Sequence, residues 1–172
     1  MDASAHYRQL IKLGRDEFLA TAAPAALVRY RNEGAADGLG ASTLTLDEPI
    51  DETLPMDGIH GFNISDIDMA IHPLAKKAGA SFPDRITIGR TTNNDLAIAD
   101  HSISRLHAYL RSQATGWVVA DAGSKNGSWL RGEPLEPRKE KPIRSREVLR
   151  LGDVDLTFYL GPDLYQVLGG RP

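Results

Sequence analysis

The amino-acid sequence predicts an all-β domain, an antiparallel sandwich or barrel, behind a short helical N-terminal extension. From Ile67 onward apolar residues recur with a period of two in short runs, the spacing that buries one face of a strand. Clusters of Gly, Asn, Asp or Pro separate these runs, as in antiparallel β domains built from many short strands. The chain's 16 Gly and 10 Pro are in keeping with turn-rich connections.

Taken in order, Ser4–Leu13 reads as a helix with Tyr7, Leu10 and Ile11 on one stripe, Ser4 as N-cap and Gly14 as stop. A second short helix carries Phe18 and Leu19 and ends at Pro24, and Ala26–Tyr30 reads as a strand. As an isolated hairpin these helices are too short to be stable in water, so they are expected to dock on the β body or on a partner. Residues 32–66 are punctuated by Gly34, Gly38 and Gly40. Gly38-x-Gly40 lacks the third glycine and the following helix of a dinucleotide loop. Ser42–Leu46 alternates as a strand, and Asp47–Asp57 is acidic and carries Thr53. His60, Asp66 and Asp68 match no metal-ligand spacing and read as a solvated turn. Strands are then expected at Met69–Leu74, Arg85–Gly89, Leu96–Ala99, Leu106–Arg111, Trp117–Asp121, Ser128–Leu130, Val148–Leu151 and Val154–Leu160. Trp117 and Trp129 fall in strand patterns, as core or sheet-face residues. Asn126-Gly127 and Arg131–Pro134 are turns, and Leu164, Tyr165 and Val167 form one helical turn. The expected organisation is an extension over residues 1–66, a β domain over 67–162 and a tail over 163–172.

Composition narrows the function. A chain of 172 residues, 41% hydrophobic and 25% charged, is enough for one domain with its own core. No apolar run approaches the roughly 20 residues that span a bilayer. No basic segment precedes an apolar core at the N-terminus, and a cytoplasmic location is the default expectation. Cys is absent, which excludes disulfides, thiol catalysis and Cys-based metal sites. Residues 1–75 hold 5 Lys/Arg against 12 Asp/Glu, whereas residues 76–172 hold 15 against 11. Two readings are open: the second part attracts the acidic first part or an anionic partner, or the asymmetry is a solvated acidic linker beside an ordinary surface. With a pI of about 5.9 and no basic stripe interleaved with aromatics, nucleic acid is not the expected partner.

Three polar islands interrupt the strand patterns: Gly89-Arg90, Ser104-Arg105-Leu106-His107 and Ser124-Lys125-Asn126-Gly127-Ser128. Guanidinium, hydroxyl, amide and ammonium groups on loops of one scaffold suit an anion, phosphate above all. The order G-R, S-x-x-H, S-x-N-G resembles the forkhead-associated (FHA) domain, a reader of phosphothreonine peptides. Ile86-Thr87-Ile88-Gly89-Arg90 ahead of the Asn93-Asn94-Asp95 turn, and the late Leu151-Gly152-Asp153, add to the resemblance, which covers roughly residues 70–162.

The resemblance selects the sandwich (FHA/SMAD-like) over the barrel, with recognition loops at one end, and implies roles. Arg90 is the main cationic contact to phosphate. Ser104 binds a phosphate oxygen, or else caps its own turn. Arg105 reaches the phosphate or an acidic residue of the peptide. Asn126 bonds the main chain of the bound peptide while shaping the turn with Gly127. Ser124 binds phosphate or shapes the turn. Lys125 stands where a small hydroxyl residue is commoner, and Ser128 where Thr is common. Gly89, His107 and Gly127 are structural, His107 tying down the loop that presents Ser104, and His101 is an exposed loop residue. Arg144, Arg146, Lys139 and Lys141 form a basic loop in sequence, able to steer an acidic peptide or simply solvated. With no nucleophile elbow, phosphate-binding Gly-Lys-Ser/Thr loop or metal cluster, the expectation is a binding module: no enzyme, cofactor, metal, nucleic acid or membrane insertion. Its partners would be phosphothreonine-containing proteins, a Ser/Thr kinase or that kinase's substrates. The alternative is a constitutive docking or assembly subunit that uses the fold without phosphate. A further expectation is that Thr43, Thr45 or Thr53, once phosphorylated, occupies the site in its own chain or a neighbour; competitor-peptide affinity unchanged by stoichiometric phosphorylation would exclude it.

Overall fold

The computed structural model describes residues 3–31, 68–79 and 82–171. Helices α1 (Ala3–Lys12) and α2 (Arg15–Thr21) lead into strand β1 (Ala25–Tyr30). Then come β2 (Met69–Pro73), β3 (Ile86–Gly89), β4 (Leu96–Ala97), β5 (Ala108–Gln113), β6 (Gly116–Asp121), β7 (Ser128–Leu130) and β8 (Glu133–Pro134). Strands β9 (Lys141–Ile143), β10 (Val148–Leu151) and β11 (Val154–Leu160) are followed by α3 (Gly161–Val167). One sheet runs β2-β1-β11-β10-β7-β8 and the other β4-β3-β5-β6-β9. The pairings are antiparallel except β3 with β4, which is parallel.

The two sheets close on a core that includes Leu27, Ile88, Leu110, Val119, Leu149, Leu151, Leu156 and Phe158, all fully buried. Trp117 packs against it, its ring 5.9 Å from that of Phe158. Trp129 lies on a sheet face with the Arg150 guanidinium 5.6 Å over its ring.

A second apolar layer explains the helices. In β1, Ala25 and Leu27 face the sandwich interior while Ala26 and Val28 face the helical side. All four are fully buried, which accounts for an unbroken apolar run instead of an alternating one. Phe18 of α2 is wedged between Tyr7 of α1 and Tyr165 of α3, at ring separations of 5.7 and 5.2 Å. Burying such a side chain stabilises by about 1.5–3 kcal/mol, and the helices supply it only while packed on the sheet.

Several expectations change. Ser4 is not an N-cap: it lies inside α1, and its hydroxyl donates to Met69 O (3.0 Å) and accepts from Ile71 N (3.2 Å), tethering the helix to β2. The boundary at residue 66 does not follow the sheet, because β1 pairs with β11 on one side and β2 on the other. Nor does the tail start at 163, since α3 begins at Gly161 and adds Leu164 and Tyr165 to the second layer. Strands β8 and β9 occupy segments expected to be turn and loop; at two and three residues they are too short to show a period. The expected basic loop is dispersed into ion pairs, Lys139–Glu136, Lys141–Glu133 and Arg146–Asp163. Asp68 faces Arg31 at 3.7 Å. Gly34, Gly38, Gly40, the Ser42–Leu46 strand, Thr43, Thr45, the acidic segment with Thr53, His60 and Asp66 lie outside the described residues.

Candidate functional site

The three islands meet at one end of the sandwich. Gly89 ends β3 with no room for a side chain: a Cβ there would lie 2.0 Å from Arg105 O and 2.6 Å from Asn94 Nδ2. That close approach lets Arg90 N donate to Ser104 O (2.9 Å) and sets the first two islands side by side. Asn94, 4% exposed, holds them there by donating through Nδ2 to Thr91 O (2.9 Å) and Arg105 O (2.6 Å).

His107 joins the second island to the third. Ser104 N donates to His107 Nδ1 (3.0 Å), so Nε2 carries the proton and donates to Gly127 O (2.9 Å). Burial pushes the pKa of this fully buried imidazole down, against the opposing effects of the Gly127 contact and the Asp121 charge. The neutral ring can take both partners, whereas the cation has no lone pair left for Ser104 N–H.

Asp121, 2% exposed, organises the third island. One carboxylate oxygen accepts from Gly123 N and Ser124 N, and the other from the Ser124 and Ser128 hydroxyls. Burial acts to raise this carboxyl's pKa, and the four hydrogen bonds outweigh it and hold the group below the usual carboxylate range. Ser124 Oγ also accepts from Gly127 N (3.0 Å). Its proton and one acceptor position are thus used within the turn, and Ser124 does not line the depression that its neighbours surround. Gly127 takes the left-handed φ of 86° expected of the Asn-Gly turn.

The remaining five expected contacts, Arg90, Ser104, Arg105, Lys125 and Asn126, line one open depression together with His101. Ser104 Oγ accepts from Lys125 N (3.0 Å), which leaves the hydroxyl proton uncommitted among the described residues. Asn126 Nδ2 donates to Ser102 O (2.7 Å), leaving Oδ1 as an acceptor. The side chains of Arg90, Arg105 and Lys125 make no hydrogen bond or ion pair among the described residues, whereas Lys76, Arg111, Arg131 and Arg146 are all paired. Three cations that make no hydrogen bond or ion pair among the described residues, gathered around the Ser104 hydroxyl, give this depression the chemistry to take an anion.

The late Leu-Gly-Asp motif supports this end from the opposite sheet. Gly152, φ 56°, turns so close to the loop ahead of β5 that a Cβ would lie 2.5 Å from Ser102 O. Asp153 N donates to Ser102 Oγ, and Asp100 caps the same serine from within the loop. Sequence reasoning missed Asn94, Ser102 and Asp121. The available signal was an acidic residue closing a strand just before Ala-Gly-Ser, a setting in which Asp caps the turn that follows.

Residues 86–152 match the family model of the FHA domain. The chain is 36% identical over 88 residues to an oxoglutarate dehydrogenase inhibitor of Corynebacterium diphtheriae, covering 49% of this chain and 59% of that one. It is 35% identical over 69 residues to an FHA domain-containing protein of Arabidopsis thaliana, covering 40% of this chain and 18% of that one. To the glycogen accumulation regulator GarA of Mycolicibacterium smegmatis it is 30% identical over 74 residues, 43% of this chain and 45% of that one. Among solved structures, it is similar to the N-terminal FHA domain of Rad53p from S. cerevisiae in complex with a phosphothreonine peptide. That likeness has 20% identity and a TM-score of 0.45, over 56% of this chain and 88% of that one. The chain thus spans between a fifth and three fifths of the length of these curated relatives.

Proposed function

We propose that this chain, whose residues 86–152 match the family model of the FHA domain, is a non-enzymatic reader of phosphothreonine peptides in Ser/Thr kinase signalling. The observation that carries the reading is the set of cations Arg90, Arg105 and Lys125, without hydrogen bond or ion pair among the described residues, around the Ser104 hydroxyl, whose proton is uncommitted among the same residues. A phosphothreonine brings about −1.5 to −2 charges and three strong acceptor oxygens. Arginine-centred pockets are a recurring way to read such marks. Arg90 supplies the fork of donors, Ser104 a short hydroxyl bond, and Asn126 Oδ1 an acceptor for a main-chain N–H of the bound peptide. Ser124, expected as a phosphate contact, acts here through the turn it builds with Asp121. The partners on this reading are phosphorylated proteins, a kinase or its substrates, and the compartment is the cytoplasm. Among the described residues no helix is long and apolar enough to cross a membrane.

The test is titration of the chain with a randomised phosphothreonine peptide pool, beside the same pool unphosphorylated and beside Arg90→Ala. Phosphate-dependent binding that is lost in the variant supports the reader. Partner binding that is indifferent both to phosphate and to Arg90→Ala would replace it with the constitutive docking module.

A further inference from the structure

One fully buried carboxylate lies beside the phosphate loops, and nothing in the phosphate reading uses it. Asp95 is the last residue of the β3–β4 loop, of which Arg90 is the first. Its side chain is 0% exposed. Oδ2 accepts from Lys76 Nζ (2.8 Å), Thr87 N (2.9 Å) and Thr87 Oγ1 (3.1 Å), and Oδ1 accepts from Lys77 N (2.8 Å). Burial acts to raise the pKa of this carboxyl, and the bonds from Lys76, Thr87 and Lys77 outweigh it and hold the group below the usual carboxylate range. Asp95 is therefore a charge inside the protein, and Lys76 is the cation paired with it.

Lys76 and Lys77 lie ahead of the residues that match the family model, in the segment that follows β2. Leu74, buried in the sandwich core, anchors this segment on β1, with Leu74 N donating to Ala25 O (2.9 Å). From there Lys76 Nζ reaches Arg85 O (2.8 Å) and Phe82 O as well as Asp95. Lys77 Nζ donates to Thr92 O (2.6 Å), within the β3–β4 loop. The loop is thus tied at two places. Thr91 Oγ1 and Asn94 Nδ2 donate to Arg105 O at the depression, and the two lysines tie the loop to the segment after β2. Thr87 and Asp95, bonded to each other, fasten both ends of the stretch that carries Gly89 and Arg90. The Arg90 side chain makes no hydrogen bond or ion pair among the described residues, so its aim depends on this backbone.

We propose that Lys76 and Lys77 are positioning residues for phosphate binding: they hold the β3–β4 loop against the segment after β2 and so fix where the Arg90 guanidinium meets the phosphate. The proposal rests on the phosphothreonine reading above and adds to it residues outside the matched region. A guanidinium binds phosphate through a rigid fork, so its contribution depends on where its backbone sits. Ordering that backbone before the ligand arrives removes part of the cost of binding. An ammonium is a point charge on a flexible stem and depends far less on the backbone. That difference separates positioning of Arg90 from general support of the fold.

The test is phosphothreonine-peptide affinity, read by fluorescence anisotropy, for wild type, Lys76→Met, Arg90→Lys and the double variant. The unphosphorylated peptide is the control, and a denaturant melt shows that each chain is folded. Lys76→Met should cost the wild-type chain at least about fivefold in phosphopeptide affinity. The same change should cost the Arg90→Lys chain less than about twofold. Lys77→Met, which removes the side-chain bond to Thr92 O and keeps the backbone bond to Asp95, should show the same ordering with smaller losses. If Lys76→Met fails to fold because Asp95 is left uncompensated, Lys76→Met combined with Asp95→Asn takes its place. Affinity unchanged in the folded lysine variants, or losses of equal size beside Arg90 and beside Arg90→Lys, would overturn the proposal and leave the reader intact. A wild-type chain that does not distinguish the phosphopeptide from its unphosphorylated twin overturns the reader, and this inference with it.

Discussion

Arg90 and Ser124 separate two kinds of residue that the motif spacing alone groups together. The Arg90 side chain makes no hydrogen bond or ion pair among the described residues, so Arg90→Ala should leave the denaturant midpoint where it is. A charge-assisted hydrogen bond is worth about 1.5–3 kcal/mol, so the same variant should lose at least about tenfold in phosphopeptide affinity. Ser124 is bound to Asp121 and Gly127. Ser124→Ala should therefore cost about 1–2 kcal/mol of stability, read from the same denaturation curve. A stability-neutral, affinity-poor Ser124→Ala would return that residue to the phosphate. His107 adds a pH signature. Burial lowers its pKa from the ordinary 6.5, so just below that pH the unfolded chain binds more protons than the folded one. Its contribution to stability is complete above pH 6.5 and is lost as pH falls toward the lower folded value. Denaturation at a series of pH values should show His107→Gln losing that slope relative to wild type. His72, also lowered by burial, is unaltered in both chains and cancels in the difference.

At the scale of elements, β1 decides how much chain the sandwich needs. It lies between β2 and β11 and is buried on both faces. Deleting residues 1–31 should therefore give a chain that does not fold, although the matched region begins only at residue 86. Circular dichroism and a cooperative melt from such a truncation would contradict this. Phe18→Ala removes the ring wedged between Tyr7 and Tyr165 and should cost about 3–5 kcal/mol while leaving the phosphate loops intact. Elements with a clear signal were legible in the sequence: α1 from its stripe, β3, β10 and β11 from alternation, β6 from its apolar run and β7 from the Asn126-Gly127 turn ahead of it. β8, β9 and the parallel partnership of β4 were not, because two or three residues carry no period and pairing depends on distant chain. β1 was legible as a strand but not as an inner one, since its partners sit beyond residue 67 and at the far end of the sequence.

Over the whole molecule, the site is a junction between the two sheets. Three islands come from the β3-to-β7 region, and the β10–β11 turn presses Gly152 against Ser102 from the other sheet. The motif residues were legible because their chemistry is exposed and their spacing tracks strand ends. The buried supports Asn94 and Asp121 were not, because a polar residue's partners depend on loops folding against each other. Arg90, Arg105 and Lys125, without ion pairs among the described residues, also mark the site electrostatically. Because exposed charges are screened over about 8–10 Å near physiological salt, phosphopeptide affinity should fall as ionic strength rises while the denaturant midpoint changes little. Fluorescence anisotropy across a salt series checks this, and a salt-independent affinity would argue against Arg90, Arg105 and Lys125 as the phosphate contacts.

The most direct measurement is an amide-resolved NMR titration of the labelled chain with a phosphothreonine peptide, repeated with its unphosphorylated twin. If the phosphate sits where the cations converge, the largest phosphate-dependent shifts will fall on the amides of Arg90, Ser104, Arg105, Lys125 and Asn126. Shifts of equal size with both peptides, or shifts confined to α1, α2 or the outer sheet faces, would contradict the account.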